Sequence, residues 1–320
     1  MTPVTFVPWR QAWQDALYGP TGFYRRPEGP AGHFTTSTTG SLGAVFAQAL
    51  AELADTESVC RVVDVGCGRG ELLAHLSALR PDLELIGVDV VPRPGSLPAT
   101  VHWLTAPGGA DLPEELTDIS DALVIGHEWL DVVPCTLALI DDDGVLREVL
   151  VDRATGRECP GDPAHDEDLA WVHRWWPDPQ PGHRIEVGRS RDEAYAALLA
   201  RVRTGLILAV DYGHTRTRRP QFGTLAAYRL GEQVAPVPDG SCDLTAHVAF
   251  DSLGADQVLS QADALSQLGL HSGRPAHTLA RRDPAAYLQA LARSSVVAAL
   301  SDPDGLGGFS WALTRVASVP

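Results

Sequence analysis

Lysine and asparagine are missing from the 320 residues, so all 25 basic side chains are arginines, set against 41 acids. The formal charge is −16. Such a surface repels a polyphosphate backbone, which predicts no nucleic-acid partner. Cysteine is scarce: Cys60, Cys67, Cys135, Cys159 and Cys242 are odd in number and form no C-x-x-C pair. That argues against a disulfide framework and a zinc site, with no metal expected, and points to a reducing cytoplasm. The start, Met1–Arg10, lacks the basic residues and apolar run of a signal peptide, and no apolar stretch is long enough to span a bilayer. The reading is a cytoplasmic chain without a membrane partner.

One stretch organises what is present: Cys60-Arg-Val-Val-Asp-Val-Gly-Cys-Gly-Arg-Gly-Glu-Leu-Leu73. The β-branched run Val62–Val65 predicts a buried strand, and Glu71–Leu79 a helix, with three glycines at alternate positions between them. Glycines there bring main chain close to a ligand, and the free N–H groups of the helix start face the same space. A dinucleotide fingerprint is G-x-G-x-x-G. Here Gly66, Gly68 and Gly70 give G-x-G-x-G, which weakens the NAD reading. Asp64 lies two residues before the first glycine, and the next strand, Leu85–Asp89, ends in an acid suited to two ribose hydroxyls. The combination resembles motif I and the following acidic strand end of class I S-adenosylmethionine (SAM) methyltransferases.

Further strands are expected at Val101–Leu104, Asp121–Gly126 and Gly205–Gly213, and helices at Ser41–Ala54 and Arg191–Arg203. Residues 6–18 set Phe6, Trp9, Trp13 and Leu17 at helical spacing, an aromatic stripe for burial. Thr136–Ile140 and Val145–Val151 read as a β-hairpin, and residues 152–182, rich in Pro, Asp and Trp, as an irregular flap. Phe309–Val316 reads as the last strand, an edge hairpin closing the sheet. His127, Glu128 and Asp131 follow the fourth strand, where chemistry collects in open α/β sheets. Asp111 is placed either to accept from an adenine amino group or to serve as a polar turn residue. Glu128 and Asp131 are candidate acceptor-binding carboxylates, with Glu128 alternatively holding the cofactor's ammonium group and Asp131 a capping residue. His127 and His247 are candidate proton acceptors.

Several ordered segments resemble the MidA-like family of SAM-dependent methyltransferases, which includes a mitochondrial complex I assembly-factor arginine methyltransferase and bacterial relatives. They are Ala16-Leu-Tyr-Gly-Pro, Gly22-Phe-Tyr24, Gly32-His-Phe-Thr-Thr-Ser37, Gly126-His-Glu-Trp-Leu-Asp-Val-Val-Pro134, Asp211-Tyr-Gly213, Gly223-Thr-Leu225 and Asp243-Leu-Thr-Ala-His-Val248. The resemblance implies an α/β fold with a Rossmann-like seven-stranded sheet, an N-terminal helical cap and a C-terminal addition. It divides the chain into a cap and loop (1–57), a SAM-binding core (58–215, with an insertion at about 136–185) and a C-terminal region completing the sheet and acceptor site (216–320). It implies SAM as cofactor, with Thr35, Thr36, Asp64, Gly66, Gly68, Gly70, Asp89, Asp111 and Glu128 around it, and a protein arginine as acceptor. The chain departs from the family at His33, Thr38–Gly40 and His127, all around the expected acceptor site. A small-molecule O- or N-acceptor is the rival activity, and a non-catalytic SAM-binding assembly factor the rival class.

Overall fold

The computed structural model describes residues 5–26 and 37–317. Seven strands form its central sheet: β1 (Arg61–Val65), β2 (Glu84–Asp89), β3 (Val101–Thr105), β4 (Ala122–His127), β5 (Gly205–Asp211), β6 (Gln257–Ser260) and β7 (Ser310–Val316). Their spatial order is β6-β7-β5-β4-β1-β2-β3. The first five are parallel to one another, and β7 runs antiparallel between β5 and β6. Strand order reverses between β1 and β4, so their carboxyl ends open the crevice in which doubly wound folds take ligands.

Burial on both faces explains the near-continuous apolar runs in β1, β4 and β5. One face packs under helices α2 (Gly40–Thr56) and α3 (Glu71–Leu79), with Phe46, Leu50, Leu73 and Leu76 fully buried. The other packs under α5 (Arg189–Leu199) through Ala194, Tyr195 and Leu198. Each fully buried Leu or Phe contributes roughly 1.5–3 kcal/mol. These two layers hold the strand ends in fixed register.

Three expectations are corrected. Phe6 is not helical: Phe6–Pro8 is a strand, and α1 spans Trp9–Tyr18, because Pro8 keeps an extended backbone with ψ 136°. Trp9, Trp13 and Leu17 are nonetheless fully buried. Residues 152–182 are not irregular. Glu158–Pro163 is a strand, and α4 (Asp166–Trp175) is a helix whose acidic first turn and basic last turn complement its dipole. Together with Phe6–Pro8, Thr136–Ile140, Leu146–Asp152 and Arg184–Val187 they make a second, antiparallel sheet of five strands, with α4 over its own small core at Trp171, Val172 and Trp176. Lastly, β7 is internal, and β6 is the edge. With Trp311 and Ala312 buried on opposite faces, β7 has the pattern of an interior strand.

Among the described residues, no helix is long and apolar enough to cross a membrane, and no group of three or more His, Cys, Asp or Glu side chains could hold a metal ion.

Candidate cofactor and acceptor site

Gly66, Gly68 and Gly70 adopt φ of +71°, +60° and +77°, the left-handed region that side chains with a Cβ avoid. A Cβ on Gly70 would lie 2.8 Å from Leu97 Cδ1, and one on Gly66 3.2 Å from Trp129 Cδ1, whereas at Gly68 the nearest atom is Glu71 Oε2 at 3.7 Å. Packing therefore demands two of these glycines, and the third presents bare main chain to the cavity it lines. Gly68→Ala is expected to lower stability by about 1–2 kcal/mol, the cost of a left-handed alanine, and to weaken cofactor binding beyond that. Thermal unfolding with and without ligand separates the two effects.

The turn is fastened to β2. Gly66 N–H donates to Val88 O (2.9 Å) and Gly68 N–H to Asp89 Oδ2 (2.8 Å), while Val91 N–H donates to Asp89 Oδ1 (3.2 Å). Each Asp89 oxygen thus has a main-chain donor, the Val90 N–H acts on the carboxylate as a third, and lone-pair capacity remains beyond them. Burial raises the Asp89 carboxyl to about 6 in spite of these donors. Asp64, buried beneath the turn, is pushed well above the usual carboxylate range by burial and then by the charges of Asp89 and Glu71. Asp111 is exposed on the rim of the same cavity.

The opposite wall is the turn after β4. Glu128 has φ +50°, strain of about 1–3 kcal/mol that clusters at functional sites. Trp129 fixes this turn: its ring packs on Gly66 and Gly126, and its Nε1–H donates to Gly109 O at 3.3 Å. Asp211, at the end of β5, accepts from the Leu130 and Asp131 N–H groups (3.0 Å each) and from Tyr212 N–H (3.0 Å), ordering both turns. Thr245 Oγ1–H donates to Asp131 Oδ2. Asp131 Oδ1 and Glu128 Oε1 are buried without a hydrogen-bond partner.

Charge here is expensive. Burial, then Asp131 and Asp243, push Glu128 well above its usual range, against hydrogen bonds from the Ser37 main chain and the Tyr212 side chain. Asp131 and Asp211 are raised by burial, with the charge of Asp131 adding to the rise of Asp211. Burial lifts Asp243 to about 7 although Tyr24 Oη–H donates to it at 2.7 Å. His127 lies with Nδ1 3.6 Å from Glu128 Oε1, but burial lowers its imidazole to about 4, so the contact joins a neutral ring to the acid.

The N-terminal segment closes the cavity. Tyr18 Oη–H donates to Val132 O (3.2 Å), and Arg25 ties Tyr18 O, Val90 O and Pro107 O together at 3.0–3.2 Å. Thus Asp64, Gly66, Gly68, Asp89, Asp111, His127, Glu128 and Asp131 line one cavity, joined by Tyr18, Tyr24, Trp129 and Asp243. Gly70 does not line it, and neither does His247. The histidine is exposed, its ring stacked 6.1 Å from that of Tyr212, because the buried Ala246 and Val248 on either side turn it outward. Thr35 and Thr36 lie outside the described residues, as does His33. Tyr18 and Tyr24 sit in segments whose pattern was visible, yet nothing local in the sequence signals that they reach Val132 and Asp243.

Fold and site define a doubly wound enzyme with a glycine-turn cofactor crevice and a buried acidic pocket beside it. A family model described as "Putative S-adenosyl-L-methionine-dependent methyltransferase" matches residues 41–270, and the chain belongs to that family. It is a SAM-dependent methyltransferase of the MidA-like kind. A crystal structure of a COG1565-superfamily protein from Burkholderia thailandensis is similar at 25% identity and a TM-score of 0.74, covering 98% of this chain and 89% of that one. A second structure of a superfamily member from the same organism, bound to S-adenosylhomocysteine, is similar at 24% identity, TM-score 0.75 and the same coverage. A comparison with curated proteins gives no match.

The residues present fit SAM. Gly68 offers main chain with no side chain in the way, Asp89 retains acceptor capacity beyond its main-chain donors, and Glu128 lines the same cavity.

Proposed function

We propose that this methyltransferase modifies a guanidinium group, a protein arginine side chain, held between Glu128 and Asp131. The observation that supports the reading is the pair of buried carboxylate oxygens, Glu128 Oε1 and Asp131 Oδ1, that lack partners beside the glycine turn. Buried acceptors left unpaired are costly, and a planar cation with several N–H donors relieves both at once. The upward displacement of Glu128 has the same origin, burial and then the charges of Asp131 and Asp243, whereas Asp131 is raised by burial against its hydrogen bonds and the charge of Arg191.

SAM, when bound, supplies a methyl group on a sulfonium centre, open to in-line displacement. Asp89 would accept from the ribose hydroxyls, the Gly66–Gly70 main chain would lie against the amino-acid part, and Asp111 would take the adenine amino group at the rim. Glu128 and Asp131 orient the guanidinium and concentrate its lone pair on the attacking nitrogen. As the N–C bond forms and the donor's S–C bond breaks, leaving a neutral thioether, that nitrogen loses its proton to Glu128, which the charge of the bound guanidinium keeps ionised. Glu128 is the better acceptor than His127, whose burial disfavours the imidazolium. Tyr18 and Tyr24 exclude water from above.

Asp89 gives the cofactor step a pH signature. Its folded pKa, about 6, lies above the ordinary 3.8. Its contribution to the stability of the free protein is therefore full below about 4 and is lost as pH rises through about 6. Ribose hydroxyls favour the ionised form, so SAM affinity is expected to rise between pH 5 and pH 7 with a midpoint near 6 and to lose that rise in Asp89→Asn. Calorimetric titration across this range checks it.

The acceptor reading is tested with tritium-labelled SAM, comparing label in proteins with label in small metabolites of a lysate. Label in arginine after protein hydrolysis is expected. Label confined to metabolites would replace the reading with a small-molecule acceptor.

A further inference from the structure

We propose that Arg191 is a positioning residue for methyl transfer: a buried guanidinium that clamps the Asp131 turn to the Asp243–Val248 segment and supplies the acceptor pocket with its counter-charge. This rests on the reading of Glu128 and Asp131 as acceptor-binding acids.

Arg191 stands in the first turn of α5 and is 1% exposed. Its partners are main-chain carbonyls from two separate segments. Nε–H donates to Val133 O (3.0 Å) and Nη2–H to Asp131 O (2.7 Å), while Nη1–H donates to Ala246 O and His247 O (2.9 Å each). The same joint is tied from the front by Ala246 N–H to Asp131 O (3.1 Å) and by Thr245 to the Asp131 carboxylate. Behind it, the Arg191 Cζ lies 5.7 Å from the Trp13 ring, whose Nε1–H donates to Leu244 O at 3.1 Å. One side chain therefore sets the spacing between the turn that carries Asp131 and the strand that carries Asp243.

A buried ion is a poor device for stability alone, since apolar residues of similar volume often serve as well or better. What the charge does here is electrostatic. Arg191 acts through space on Asp131 and Asp211, favouring their ionised forms, and opposes the negative charges around them. Those are Glu128 from the same turn, Asp211 from β5 and Asp243 from the facing strand, with the neutral phenols of Tyr18, Tyr24 and Tyr212 also in range. Its charge also reaches Cys135, Asp192 on its own helix, and His214 and His247, whose imidazoles are lowered first by burial; for the pocket acids Asp131 and Asp211 it is the cation that acts.

Infrared difference titration of the ligand-free protein, following the C=O band of protonated carboxylic acids, reads the cluster without any acceptor. Arg191→Met is expected to move the cluster's titration upward by about one pH unit. Arg191→Lys keeps the charge but loses the fork, so its titration stays near wild type while kcat falls about tenfold through misplacement. The acidic limb of kcat/KM moves upward in Arg191→Met only, and SAM affinity stays within about twofold in both variants. An unmoved infrared titration and acidic limb in a folded Arg191→Met would overturn the proposal. If that variant does not fold, a wild-type kcat in Arg191→Lys overturns it, and the tenfold loss supports it. Absence of label from protein arginine in the wild type would sink the acceptor reading instead, and the infrared titration would still decide on Arg191.

Discussion

Asp89→Ala is expected to weaken SAM binding about 100-fold. Two hydrogen bonds from ribose hydroxyls to a charged acceptor contribute roughly 1.5–3 kcal/mol each, part of it offset by the desolvation of the acid, leaving a net of about 3 kcal/mol. The variant also removes the acceptor that holds Gly68 N–H at 2.8 Å, so the glycine turn loses its tie to β2. The free protein, relieved of a buried charge, should change in stability by no more than about 1 kcal/mol. That separates lost binding from lost folding. Calorimetry on the purified variant reads both, and SAM affinity within threefold of wild type would remove Asp89 from the cofactor site.

Glu128→Gln is expected to leave SAM affinity within about threefold and to lower kcat by about a thousandfold, within the range for loss of a positioned general base. Glutamine keeps the size of the side chain and can still meet the Ser37 and Tyr212 groups, but it takes no proton and no longer balances a guanidinium. The free variant should also be at least as stable as wild type at pH 7–8. Glu128 has a folded pKa raised above its unfolded value, so the stability it contributes at low pH is lost as pH rises, and the ionised form opposes folding. Equal loss of SAM binding and turnover would instead place Glu128 on the cofactor's ammonium group. Single-turnover kinetics alongside calorimetry distinguishes the two results.

The parts of this molecule legible in its sequence are those fixed by local chemistry. β1, the glycine turn and α3 follow from a β-branched run, alternate glycines and a helix-forming segment, and the helix boundaries Glu71–Leu79 agree with that pattern. Asp89 was readable because a strand's last residue falls at the crevice whatever surrounds it. The second sheet was not: Glu158–Pro163 contains Pro160, Gly161 and Pro163, residues that signal turns, and it forms an edge strand only because Leu146–Asp152 offers a free ladder. Trp129, Tyr24 and Arg191 act across the fold, Tyr24 bonding a residue 219 positions away, and no periodicity encodes such a partner. His247 shows the reverse case. A histidine in a motif-like segment invited a chemical role, but the register of its neighbours faces it to solvent.

The central claim is that the methyl donor lies across the carboxyl edge of the sheet, with its sugar on Asp89 and its sulfur toward Glu128. A crystal structure of this chain grown with S-adenosylhomocysteine tests it most directly. The account predicts both ribose hydroxyls within hydrogen-bond distance of Asp89 and the amino-acid end over Gly66–Gly70. Product bound in any other cleft, or Asp89 turned away from the sugar, would contradict it.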